Sequence, residues 1–435
     1  MDRITAFYRS CNLTEVLPPG DLRNVDCDRG REGGVAPILA EDFKLADPEK
    51  PLHRMFTGHL GVGKSTELQK LRQILSLLGN SDVIYFDISD HLDKRIADLQ
   101  LTDLDILIAE RVVDHFKGRK IPLENVFFKD FADRFRQILL TEINLTKATI
   151  SPKIAAFETI ELGLGEIVAE IKDGPDSSRS ILRKAIAETR SSLRKGLDDI
   201  LALARVKLGK NILLIVDGVE KIPSSRHEEI FIDGVPELVD ICAHVLFTVP
   251  MQLTYHRRFS ETRMAFAQDP CTVSMIHPDT AEGMDCLREI LATRCDYASQ
   301  PGRSDVPFTL PDVFETPALC DHLCRQSGGH VRQLLIFIQS ALTRCKDFPI
   351  TAAAVEDALR DYRIGMTRQI SSDLWPWLRH FRSGILKSMP EGIPDNVRRD
   401  NINQLIVYEY INGDSTYDVA PEIRKFAAFK DGDPA

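Results

Sequence analysis

Residues 56–68 read FTGHLGVGKSTEL, and the fold follows from them. Gly58-His59-Leu60-Gly61-Val62-Gly63-Lys64-Ser65 satisfies the spacing G-x-x-x-x-G-K-S of a phosphate-binding loop. Glycine at these places lets the backbone turn its N–H groups inward, in conformations that a side chain would obstruct. Lys64 is expected at the β and γ phosphates, and the hydroxyl of Ser65 on Mg²⁺. The nucleotide cradle is thus assigned to Gly58, His59, Leu60, Gly61, Val62, Gly63, Lys64, Ser65 and Thr66. Leu52–Thr57 reads as a short strand, while Leu68, Leu71, Leu75 and Leu78 recur at helical spacing. A helix N-terminus then points at the phosphates, as an anion requires.

Working outward, Val83–Ile88 is an apolar run ending in acids, the pattern of a parallel strand buried on both faces. A helix is expected from Leu99 to Phe116. Residues 120–175 carry less pattern, although Phe127, Phe128, Phe131 and Phe135 suggest core packing. Asp173-Gly174-Pro175-Asp176-Ser177 marks a break. A long amphipathic helix should follow it, with Ile181, Ala185, Leu193, Leu197 and Leu201 on one face. Asn211-Ile212-Leu213-Leu214-Ile215-Val216-Asp217 then reads as a buried strand delivering Asp217 to the sheet edge, where it can hold Mg²⁺ beside Ser65. Glu220 is the candidate to orient or deprotonate an attacking water. His244–Thr248 is a further strand, with Thr248 placed to sense the γ-phosphate or, as plausibly, to be satisfied by backbone. Before the loop, Arg29-Gly30-Arg31-Glu32-Gly33-Gly34 reads as a polar link, with one of Arg29 or Arg31 a candidate near adenine.

The later chain is helical: Cys286–Arg294, Thr316–Arg325, and a helix opened by Ser327-Gly328-Gly329-His330 that runs to about Cys345. Arg332 falls in the first turn of that last helix, where the helix dipole disfavours a cation. A charge placed there against local preference is expected to reach the nucleotide phosphates. Near the end, a helix at Asp395–Leu405 and strands Ile406–Ile411 and Thr416–Val419 about Asn412-Gly413-Asp414 suggest a winged helix.

Composition limits the function classes. The 435 residues allow two to four domains, and 43% hydrophobic with 28% charged residues suits a globular chain with a substantial core. No apolar run approaches the ~20 residues of a membrane span, and the N-terminus lacks the apolar core of a signal peptide. A cytoplasmic location with no membrane partner is therefore expected. Nine cysteines without a framework read as free thiols. Cys320-x-His322-x-Cys324 has no second ligand pair at zinc-finger spacing. A net charge of −10 argues against nucleic acid as the main partner.

Taken in order, GHLGVGKSTEL, LLIVDGVEK, VLFTVP, SGGHVRQLL and LIVYEYINGDSTYDVAP resemble the core of STAND ATPases. These signal-transduction ATPases are related to AAA+ and origin-recognition initiator proteins. The resemblance spans roughly residues 25–425. It implies an α/β fold, with a P-loop NTPase parallel sheet sandwiched by helices, then a helical lid and a winged-helix module. The corresponding divisions are an N-terminal segment (1–50), the NTPase domain (51–278), the lid (279–365) and the C-terminal module (366–435). The implied ligands are ATP or ADP with Mg²⁺ on Ser65 and Asp217. Lys64, Asp217, Glu220, Thr248 and Arg332 are the implied catalytic set, with Thr248 and Arg332 as first and second sensors. Two departures stand out. Lys221 occupies a place where many relatives carry an acid, and Ala420 one where many carry an ADP-contacting histidine.

The expected function is a molecular switch that binds and hydrolyses ATP. Its nucleotide state would govern assembly with a separate effector or sensor protein, or with further copies of itself. The alternatives are an initiator- or loader-type ATPase acting on DNA through the winged helix, a P-loop small-molecule kinase, and a non-hydrolysing nucleotide-binding scaffold.

Overall fold

The computed structural model describes residues 1–31, 33–92, 97–121, 127–146, 154 and 160–434. Five parallel strands form the central sheet: β1 His53–Gly58, β2 Ser81–Asp87, β3 Asn211–Asp217, β4 His244–Thr248 and β5 Cys271–Val273. Their order across the sheet is β2-β3-β4-β1-β5, so β4 lies between the strand that enters the loop and the strand that carries Asp217. β3 pairs with β2 in a register that sets Asp217 opposite Asp87. On its other side Val216 is opposite Phe247, and Phe56 of β1 is opposite Thr248.

Side chains alternate along these strands as the pleat demands. Ile212, Leu214 and Val216 join one apolar core, and Leu213 and Ile215 join the other. Both faces are therefore covered, which is why β3 reads as an unbroken apolar run. One face is covered by helices between β2 and β3, chiefly Leu101–Gly118, Lys129–Thr146 and Asp176–Leu208. Ile181, Ala185, Leu193, Leu197 and Leu201 of the long helix are buried there, as their spacing predicts, and so are Phe128, Phe131 and Phe135. Asp105 ties the layer together internally, pairing with Arg190 and Arg194.

The opposite face packs on helices Val35–Leu45 and Lys64–Leu78. It shares its core with the C-terminal residues Ile402, Tyr408, Tyr410, Val419 and Phe429. That C-terminal part contains helix Asp395–Asn403 and an antiparallel hairpin, β6 Val407–Asn412 and β7 Asp414–Val419. Gly413, at φ +68°, makes the turn between them.

A third core belongs to the lid helices Ala281–Ala298, Pro317–Gln326, Val331–Leu342 and Ala352–Thr367. Ala6, Phe7, Cys11 and Cys27 lie in this core, so the N-terminal helix Arg3–Ser10 packs with the lid. The stretch expected as a polar link is a short 3₁₀ turn, Asp28–Arg31, in which Gly30 and Arg31 are buried. A Cβ on Gly30 would stand 2.9 Å from the Cys286 sulfur of the lid. The nine cysteines are free thiols. Among the described residues no helix is long and apolar enough to cross a membrane.

Candidate nucleotide site

The loop at the end of β1 is held open by its glycines. Gly58, Gly61 and Gly63 have φ of +150°, +89° and +107°. Gly63 is also the N-cap of helix Lys64–Leu78, and no side chain caps that helix. Its first N–H groups therefore face the hollow of the loop, a ready anion cradle. Lys64 is buried, with Nζ donating to the carbonyls of Gly58 (3.0 Å) and His59 (3.2 Å). The same ammonium lies 3.4 Å from Glu220 Oε1, and the Glu220 side chain is only 6% exposed.

The two strand-end acids differ in charge environment. Asp217 is fully buried; its Oδ2 accepts from the Tyr85 hydroxyl (2.8 Å) and its Oδ1 from the Gly218 N–H (2.8 Å). Burial and then the neighbouring Glu220 push its pKa up to about 6, while the adjacent Ser65 hydroxyl and Tyr85 pull the other way. Asp87 is also buried, which works against its charge. Hydrogen bonds from Lys221 and Ser89 nevertheless hold its carboxyl below the usual value. Lys221 thus pairs with β2. Gly218 has a reason as well: its φ is +82°, and a Cβ there would stand 2.1 Å from Asp87 Oδ1. A side chain there would have to adopt a left-handed backbone and displace the Asp87 carboxylate.

Ser65 and Asp217 make an oxygen donor pair that fits Mg²⁺. A buried carboxylate held at a raised pKa favours a cation beside it, and Glu220 Oε2 is buried without a hydrogen-bond partner. Among the described residues no group of three or more His, Cys, Asp or Glu side chains is placed to hold a metal. The remaining ligands would therefore be phosphate oxygens and water.

The lid meets the loop directly. The Arg332 N–H donates to Gly61 O (3.3 Å), and His330 Nε2 donates to Leu60 O (2.7 Å). A Cβ on Gly61 would stand 2.9 Å from Arg332 Cβ. The guanidinium of Arg332 has no hydrogen-bond partner among the described residues, and it lines one cleft with Lys64, Ser65, Thr66 and Glu220. Burial lowers its pKa from the ordinary value, and Glu220 works against that shift.

Two expected residues are engaged with backbone. The Thr248 hydroxyl accepts from Val219 N–H (3.2 Å) and donates to Val216 O (3.4 Å). Arg31 donates to Val62 O (2.6 Å) and to Glu67 Oε1 (3.2 Å), bracing the loop from behind. Other residues carried too little signal in the sequence. Tyr85 is a lone phenol in an apolar strand, the one hint of its role. Asn12–Leu17, Arg23 and Arg294 line the far side of the cleft, brought there by the N-terminal helix packing with the lid.

No protein-family model matches the chain, and no curated protein matches it. Among solved structures, a Walker-type ATPase of Pyrococcus abyssi is similar at 12% identity and a TM-score of 0.44, covering 97% of this chain and 100% of that one. The Orc1 protein of Aeropyrum pernix in complex with DNA is similar at 16% identity and a TM-score of 0.38, covering 96% of this chain and 92% of that one.

Proposed function

We propose that this chain is an ATP-dependent conformational switch that hydrolyses its nucleotide. The observation that carries this reading is the shared cleft. Lys64 from the sheet domain and Arg332 from the lid line it together, with Glu220 between them. A triphosphate bound by the loop would present its γ-phosphate to the lid arginine, and a diphosphate would not. Only such differential contact lets a nucleotide shift a conformational equilibrium.

The roles follow from placement. Phosphate replaces the loop carbonyls as the partner of Lys64. Ser65 and Asp217 hold Mg²⁺, which neutralises phosphate charge. Glu220, with its unpartnered oxygen, orients the attacking water, and its proximity to Lys64 keeps it close to the phosphate tail. Thr248 acts at one remove by fixing the turn that carries Glu220. Asn12–Leu17, on the lid side, bound the base end of the cleft.

The packing of helix Asp395–Asn403 supports a switch over a reader of DNA. That helix lies against the Met251–Tyr255 turn of the sheet domain, and its Arg399 pairs with Glu228 (3.1 Å). Lys64→Ala tests the reading, through ATP binding by calorimetry and phosphate release. Loss of both is expected; unchanged ATP affinity would remove the loop from the mechanism.

A further inference from the structure

His59 belongs to the phosphate loop, yet its side chain turns away from the cleft and is 1% exposed. Its Nε2 accepts the backbone N–H of Glu409 in β6 at 2.8 Å. The ring stands edge-on to Tyr408, with centroids 5.9 Å apart and planes at 71°. On the other flank Tyr408 stacks with His330, at 6.1 Å and 16°. His330 in turn reaches back to the next loop residue, through Nε2 to Leu60 O, while its Nδ1 accepts from Gln333 N–H (3.0 Å). Consecutive loop residues are thus held by different parts of the chain, residue 59 by the C-terminal hairpin and residue 60 by the lid.

Both imidazoles are neutral. Burial pushes His59 down to about 3, with Lys64 adding to the shift, and burial pushes His330 down to about 4. Accepting at Nε2 leaves the His59 proton on Nδ1, so the Glu409 contact itself sets the tautomer. Backbone and packing extend the contact: the Tyr410 hydroxyl donates to Gly328 O (2.8 Å), and a Cβ on Gly328 would stand 2.5 Å from the Tyr408 ring.

We infer that His59 is a positioning residue that latches the C-terminal hairpin to the phosphate loop, so that hairpin docking and nucleotide binding are one coupled equilibrium. The inference rests on the switch reading above and assigns its transmission to a single acceptor atom. A phosphate that orders the loop holds His59 in place and strengthens docking. By linkage, a docked hairpin strengthens nucleotide binding by the same factor.

Hydrogen exchange of the 407–412 amides in the full chain, with and without Mg²⁺-ADP, tests this. In the wild type Mg²⁺-ADP should slow that exchange. His59→Leu keeps the bulk but lacks the acceptor, and should exchange about tenfold faster or more with no response to Mg²⁺-ADP. His59→Gln returns an acceptor at the same reach and should restore slow exchange and the response. If His59→Leu does not fold, His59→Asn, whose amide is too short to reach Glu409, takes its place. Exchange in the acceptor-free variant equal to wild type, or equal to His59→Gln, overturns the latch. Wild-type protein that takes up no Mg²⁺-ADP overturns the switch reading and the coupling with it, whereas the Leu–Gln contrast without nucleotide still decides the contact.

Discussion

Thr248→Val separates two roles that one hydroxyl can play. The residue is fully buried, and its oxygen lies between the Val219 N–H (3.2 Å) and the Val216 carbonyl (3.4 Å). Valine fills nearly the same volume, so the substitution opens little cavity. It leaves the Val219 N–H in a dry interior without an acceptor, at a cost of about 1–3 kcal/mol. The Val216 bond is long, and its loss adds little. Thr248→Val should therefore lower the urea midpoint, while Thr248→Ser, which keeps the oxygen, should stay near wild type. Because Val219 opens the turn that carries Glu220, phosphate release should slow in the valine variant and recover in the serine variant. A valine variant as stable as wild type but slower in turnover would refute this, since the hydroxyl would then act on phosphate or water directly.

Three further outcomes are expected. Gly61→Ala places a methyl 2.9 Å from Arg332 Cβ at a φ of +89°. Overpacking of about 1–3 kcal/mol should weaken ATP binding roughly fivefold to a hundredfold, read by calorimetry, with the lid more open in small-angle scattering. Asp217, raised to about 6, must lose its proton to take Mg²⁺, so Mg²⁺-dependent turnover should fall as pH drops through about 6. Its effect on folding has the opposite sign. The folded state binds this proton more tightly than the unfolded chain, so stability declines as pH rises from near 4 through about 6. Glu220→Gln should keep ATP binding, slow phosphate release and move that turnover midpoint to lower pH, because the charge that raises Asp217 is gone. An unmoved midpoint would count against the Glu220–Asp217 interaction.

Local pattern carried much of the fold. The loop, its helix, β3 with Asp217, the long helix from Asp176 and the final hairpin all lie where periodicity and turn chemistry placed them, within a residue or two at their ends. What the sequence did not disclose is non-local. No pattern in Arg3–Ser10 says that Phe7 will pack in the lid core, because one amphipathic helix suits any apolar partner. Strand order is silent for the same reason: β4 and β1 both read as strands, and only the assembled sheet shows which borders β3. At the site, the loop from Gly58 to Ser65 stands out by its spacing alone. Tyr85, His59 and His330 were not, because their partners lie far away in the chain. Thr248 and Arg31 show the converse, polar groups near the site whose bonding was settled by the nearest carbonyl or N–H.

The N-terminal helix that packs among the lid helices has a mechanical consequence. The lid meets the sheet domain before Val35 and after Val273, and after Thr367 it continues into the C-terminal part that shares the sheet's core, so it cannot swivel freely about a single strand of peptide. Since Asn12–Leu17 and Arg332 ride on the same body, moving that body would carry both linings of the cleft off the loop together.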